Sequence, residues 1–199
     1  MQSMGILEVF ALCYRRCDAQ EWTAAENSIF WQDFMPSYED FITFADSHYV
    51  GGLAGSVVAV ESLFRVWSTS SASEMPFARR EGLYNSEHAD HMRYLYERYD
   101  IRVPDPTLPP DHLSNLLLFL QLLVEHAPPA DVCMFIDEHL NWLPAYRRRI
   151  TERAAEVTWP ASLTGMLIDY LRHLKERFIA FEGLDIQRSD ERERKRYAG

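Results

Sequence analysis

The stretch from Leu113 to Val124 constrains this chain more than any other. Leu113, Leu116, Leu117, Leu120, Leu123 and Val124 recur at the three- and four-residue spacing of an α-helix. Leu118, Phe119 and Leu122 carry the apolar face most of the way round, leaving a narrow polar stripe at Ser114, Gln121 and Glu125. A helix apolar on nearly every side cannot lie on a surface, so other helices must pack around it. It is too short to span a bilayer and carries Ser114, Asn115 and Gln121 within it. Pro109-Pro110-Asp111-His112 opens the helix and Pro128-Pro129 closes it, with the second of these prolines suited to start the next.

The rest of the chain supplies the partners. Helical spacing runs through Ile6 to Arg16, Glu21 to Phe34 and Tyr38 to Tyr49. Between Tyr84 and Tyr99, the residues Tyr84, His88, His91, Met92, Leu95, Tyr96 and Tyr99 draw one stripe, with Asn85 or Ser86 placed to cap it. The pattern continues from Ala130 to Glu156, with Pro144 expected as a kink, and from Pro160 to Glu182. No segment sustains period-2 alternation, and 8 glycines in 199 residues are too few for a turn-rich β sandwich. The expectation is an all-α, single-domain helical bundle over residues 1–185, followed by a charged tail, 186–199, either a frayed helical extension or disordered. Ser68 to Glu74, polar and small, reads as a mobile linker.

Charge narrows the partners. The chain carries 20 Lys+Arg against 30 Asp+Glu, a net charge of −10. Residues from Gln187 onward hold five basic and three acidic side chains, so the body before them carries −12. Nucleic acid is an improbable partner for such a surface, since phosphate binding needs clustered Lys and Arg. A cationic peptide or basic protein surface suits it better. The three cysteines, Cys13, Cys17 and Cys133, are too few for a disulfide scaffold, and no signal peptide is evident, so a cytoplasmic protein with free thiols is expected.

The chemistry-bearing motifs are sparse. Cys13 and Cys17 share a helical face, but a structural zinc site needs four ligands, and two small buried hydrophobes explain them more simply. His88 and His91 sit one turn apart facing the same way. No histidine here belongs to the Glu-x-x-His motif of a di-iron bundle, so tyrosine-partnered core or boundary histidines are expected. Gly51-Gly52-Leu53-Ala54-Gly55 matches no phosphate or dinucleotide loop and reads as a bend. Nucleophile elbows and zinc-protease motifs are missing, so no catalytic residue, cofactor or metal is expected. Asp111 and His112, at the mouth of the Leu-rich helix, fit a cap and also fit a guanidinium acceptor, a bidentate pairing that contributes about 1.5–3 kcal/mol.

Four segments in order resemble the TorD/DmsD/NarJ family of cytoplasmic chaperones that mature molybdenum-containing redox enzymes. Tyr49-Val-Gly-Gly-Leu53-Ala-Gly55 is similar to the family's aromatic-x-x-Leu-Phe-x-Gly segment, and Glu61-Ser62-Leu63-Phe64 to its Glu-Ser-x-Tyr. Pro110-Asp111-His112 with Leu117, Phe119 and Leu120 resembles the Pro-Asp-His-x(4)-Leu-x-Phe-Leu signature, and His139-Leu140-Asn141-Trp142-Leu143-Pro144 its His-Leu-x-x-Trp-Leu-Pro. Gly52, Leu53, Ser56 and Leu116 depart from the family's usual residues.

The resemblance implies a TorD-like helical chaperone, not an enzyme. It would bind a molybdoenzyme catalytic subunit and that subunit's twin-arginine leader before cofactor insertion and targeting. By the same resemblance Asp111 and His112 form the core of the peptide-binding site, with Glu61, Tyr49, Leu53 and Pro110 around them. A monomer or a domain-swapped dimer through Ser68 to Glu74 fits such a bundle, without membrane insertion. Two other readings stay open at this point: a small metal-binding enzyme using His88 and His91, and a purely structural helical interaction protein.

Overall fold

The computed structural model describes residues 4–28, 36–53, 55–71 and 73–197, with side chains as far as residue 180. Among them are eight α-helices: α1 (Ile6–Cys13), α2 (Ala19–Glu26), α3 (Tyr38–His48), α4 (Glu87–Arg98), α5 (Leu113–His126), α6 (Pro129–His139), α7 (Leu143–Arg153) and α8 (Trp159–Tyr197). A 3-10 turn, Glu61–Phe64, precedes α4. The described residues form no strand; Val60 pairs with His112 and Val66 with Glu81 as isolated bridges. The all-α bundle expected from the periodicity is the fold.

Helix α5 is its axis. It packs against α1 and α6, and α8 lies across both α6 and α7. Leu113, Leu116, Leu117 and Leu120 are wholly buried, and each such side chain contributes about 2 kcal/mol. Burial goes further than the polar stripe suggested, because Ser114 and Asn115 are also inside. The Ser114 hydroxyl donates to the Ala11 carbonyl of α1, so a small polar residue lets the two helices approach closely. Asn115 donates to the carbonyls of Asp105 and Pro109, 3.0 Å each, and accepts from the Asp105 N–H at 2.9 Å. One buried amide thereby fixes the loop that leads into α5.

Caps explain where several helices begin. Asp18 accepts from the N–H groups of Gln20 and Glu21, and Glu21 reaches back to Asp18, a complete capping box. Ser86, rather than Asn85, caps α4. The Glu21 to Phe34 helix ends earlier, at Glu26; residues 29–35 lie outside the described set.

Other expectations change. The segment from Ala130 to Glu156 is two helices, not one kinked helix. The break at residues 140–142 is held by the Trp142 indole N–H on the His139 carbonyl at 2.7 Å, and Pro144 sits in the first turn of α7, where no N–H is needed. Ser68 to Glu74 is anchored at its start. Ser68 and Thr69 donate to the Glu87 carboxylate, and Arg79 donates to the carbonyls of Ser68 and Ser70. For the tail, α8 continues as helix through residues 186–197, the helical one of the two alternatives.

Candidate functional site

The Asp111 region and the 3-10 turn are built as one unit. The Glu61 N–H donates to the Asp111 carbonyl at 3.0 Å, and the Leu113 N–H to the Ala59 carbonyl at 2.7 Å, which lays the two extended segments side by side. His112 is the N-cap of α5, its Nδ1 accepting from the Ser114 N–H at 3.2 Å. Asp111 Oδ2 accepts from the Ser62 N–H at 2.8 Å and from the Ser62 hydroxyl. The Ser62 oxygen in turn accepts from the Ser86 hydroxyl at 2.8 Å. A chain of hydrogen bonds therefore ties the starts of α4 and α5 to the 3-10 turn.

Both residues are closed to solvent, Asp111 at 0% and His112 at 3% exposure. A guanidinium from outside cannot reach the Asp111 carboxylate in this arrangement. Asp111 is an internal strut rather than the open mouth expected from spacing. Burial also pushes the His112 imidazole down to about 4, so it is neutral around pH 7.

What the strut positions is Glu61. This side chain is fully buried, and its Oε2 meets His139 Nδ1 at 2.8 Å. Its Oε1 lies 3.4 Å from the Arg65 guanidinium and 3.5 Å from His88 Nδ1. On the far side of the ring, His139 Nε2 meets His91 Nδ1 at 3.0 Å. The histidines of α4 are thus partnered by Glu61 and His139, and the His91 ring also stacks on Tyr94, centroids 6.4 Å apart, a tyrosine partner of the kind expected. Burial raises the Glu61 carboxyl to about 8 against the pull of His88 and Arg65, and lowers His139 to about 4. The Glu138 carboxylate lies beside this pair, and one ligand atom from each of His91, Glu138 and His139 falls within 4.8 Å of the others.

Above the cluster runs a cleft between α4 and α6. One cavity, of about 510 Å³, is lined by Arg65, Glu87, His88, His91, Asp137, Glu138, His139 and Asn141. A second, of about 480 Å³, shares His91, Glu138 and His139 and continues over Tyr94, Leu95, Tyr99, Phe119, Leu123, Met134 and Phe135, with Asp131 and Arg98 at its rim. Tyr94, Tyr99 and Met134 are each about half exposed at 51%, 46% and 54%. On α6, Asp131, Met134, Phe135 and Glu138 share one face, at positions i, i+3, i+4 and i+7. Asp137 is already paired with Lys175, and Glu87 with Ser68 and Thr69. Asp131 and Glu138 therefore stand as the accessible carboxylates, about 10 Å apart along the helix, with Met134 between them.

A different cavity holds the glycine-rich bend. It has a volume of about 390 Å³ and is lined by Gly51, Gly52, Leu53, Ser56, Val58, Leu63, Gly82, Tyr84, Arg149 and Arg153. Gly52 adopts a φ of 82°, which favours glycine, and a side chain at Gly51 would come within 3.1 Å of the Tyr84 hydroxyl, which would have to shift by a few tenths of an ångström. Its cations are Arg149, stacked 3.8 Å over Phe64, and Arg153, which donates to the Ser56 carbonyl at 2.9 Å. This cavity has no carboxylate in its wall.

The expected site residues thus separate. Asp111, His112 and Glu61 form one buried unit beneath the α4–α6 cleft, while Leu53 lines the arginine-bearing cavity. Tyr49 points inward, its hydroxyl donating to the Cys13 carbonyl at 2.8 Å, and Pro110 is half-buried in the turn before α5. Cys13 and Cys17 are buried free thiols, as simple packing suggested. Sequence reasoning passed over Asp131, Met134 and Glu138, although their spacing on α6 was a readable signal. The contact of His91 with His139 joins residues far apart in the chain and left no local trace.

Residues 49–156, more than half of the chain, match the family described as nitrate reductase delta subunit. Neither the curated proteins nor the solved structures contain a match to the chain. The matched span runs from the glycine-rich bend to the end of α7 and includes every residue of the Glu61 cluster.

Proposed function

The chain belongs to the nitrate reductase delta subunit family, whose members are redox-enzyme maturation chaperones that bind molybdoenzyme subunits, and from that premise we propose that it holds the twin-arginine leader of one such subunit before cofactor insertion. The observation that carries this reading is the α4–α6 cleft. A leader of this type presents two arginines followed by an apolar stretch, so its receptor needs carboxylates beside an apolar groove. Asp131 and Glu138 supply the carboxylates on one helix face, and Tyr94, Leu95, Tyr99, Met134 and Phe135 supply the groove.

Asp111 and His112 serve this site from below on the proposed reading. They fix the 3-10 turn that carries Glu61, and Glu61 sets the ring of His139 in the cleft wall. The leader would not touch Asp111. Recognition is by charge and apolar fit, and no bond in the client is made or broken. The site of action is the cytoplasm, before export; no helix among the described residues is long and apolar enough to cross a membrane.

Calorimetric titration of the full chain with a leader peptide tests the proposal. Saturable binding is expected, lost when both leader arginines become glutamine. Equal affinity for the two peptides would overturn it.

A further inference from the structure

We propose that His91, His139 and Glu138 form a binding site for a divalent transition-metal ion of the Zn²⁺ class, buttressed from inside by Glu61. The inference rests on side-chain geometry and stands whether or not the cleft takes a leader.

Two imidazoles and a carboxylate are a known donor set for Zn²⁺ when a fourth position is left to water. Here the donors converge from two helices: His91 from α4, Glu138 and His139 from the end of α6. Tetrahedral bonds of about 2.0 Å place ligand atoms about 3.3 Å apart. His91 Nδ1 and His139 Nε2 are already 3.0 Å apart, and all three ligand atoms lie within 4.8 Å. An ion entering between the rings needs the histidine nitrogens to part by a few tenths of an ångström. It also needs the Glu138 carboxylate to swing inward, and Glu138 is an exposed side chain.

The second observation lies behind the ring. Metal-bound histidines characteristically give their other ring N–H to a carboxylate, which fixes the tautomer and aims the lone pair at the metal. His139 has that partner: Glu61 Oε2 at 2.8 Å from Nδ1, fully buried and held in place through the Asp111 and Ser62 network. When Glu61 is ionised and accepts the Nδ1–H, the lone pair of His139 Nε2 faces the gap shared with His91 and Glu138. In the metal-free chain that gap is closed by the ring-to-ring hydrogen bond; for the ion to enter, the bridging proton leaves His91 Nδ1 and the exposed Nε2 of the same ring takes one up from water, so that neutral imidazoles ligate with no net proton release. The cleft side of the site is open, so water completes the coordination. Occupancy would clip α4 to α6.

The full chain, stripped with chelator and titrated with Zn²⁺ and separately with Co²⁺, tests the site. One equivalent of either ion is expected, with the intense visible absorption of low-coordinate Co²⁺ and a rise in Tm. His91→Ala and Glu138→Gln, both at exposed positions, should each weaken binding at least tenfold and abolish the Co²⁺ band while the metal-free Tm stays near that of the parent. His173→Ala, an exposed histidine elsewhere, should change nothing. Absence of stoichiometric binding, or binding that survives both His91→Ala and Glu138→Gln, overturns the assignment; the latter result would place the ion on other residues.

Discussion

The α4–α6 cleft and the cavity at the glycine-rich bend have opposite characters although they belong to one acidic body. The cleft presents Asp131 and Glu138 beside a half-exposed aromatic and methionine wall, and its own cations, Arg65 and Arg98, donate to the Glu138 carbonyl and the Tyr94 hydroxyl. The bend presents Arg149 and Arg153, whose guanidiniums are spent on Phe64 and on the Ser56 carbonyl. A net charge of −10 says nothing about either one. What a peptide with two arginines meets is the local sign, and desolvated pairs of the wrong sign cost several kcal/mol. On the proposed reading the cleft is the receptor, and the bend is a brace between α7 and the loop that leads to the 3-10 turn.

The largest effect expected from that contrast is in the cleft. Asp131→Lys with Glu138→Lys should weaken leader binding by about a hundredfold, since two attractive pairs become repulsive. Circular dichroism of the variant should match the parent, because both side chains are at the cleft's open face. Retained affinity would erase the distinction between the two cavities.

Next comes the buried unit beneath the cleft, read by pH. His112 is held neutral by burial, its pKa lowered to about 4 although Asp105 opposes the shift. In the unfolded chain it titrates near 6.5, so the unfolded state binds the extra proton between the two values. Its stabilisation is therefore whole above about pH 6.5 and drains away as the pH falls toward 4, by up to the order of 3 kcal/mol. His112→Asn keeps a capping side chain but cannot titrate. The urea midpoint of the parent should fall more steeply than that of His112→Asn across this window; parallel curves would show that His112 is not the neutral cap described here.

Smaller effects sharpen the comparison. Tyr94→Ala with Met134→Ala should cost about tenfold in leader affinity through lost apolar contact, with the response to the arginine-to-glutamine peptide preserved. At the other cavity, Arg153→Ala should leave leader affinity within about twofold while lowering stability by about 1 kcal/mol, the worth of its hydrogen bond to Ser56. A large loss of affinity there would move the receptor to the bend.

Much of this was legible in the chain. The all-round apolarity of Leu113 to Val124 required a central helix, and α5 is that helix. Local chemistry narrowed the α4 cap to Asn85 or Ser86, and Ser86 holds it. Burial was harder to read: Asp111 and His112 look like a polar mouth in sequence, and only the pairing of residues 59–62 with 111–113 shows that they are sealed inside. Helix continuity was misjudged at residues 140–142, because the break depends on the Trp142 indole finding the His139 carbonyl. The metal-like cluster needed His91 and His139 brought together across the fold, which no local spacing encodes.

The most direct test of the central claim is where a leader lands. A leader peptide carrying a photoreactive residue just after its two arginines is bound to the full chain, irradiated, and the adducts are mapped by mass spectrometry. The account predicts adducts on Tyr94, Tyr99 or Met134, in the α4–α6 cleft. Adducts on Leu53 or Tyr84, at the glycine-rich bend, would contradict it.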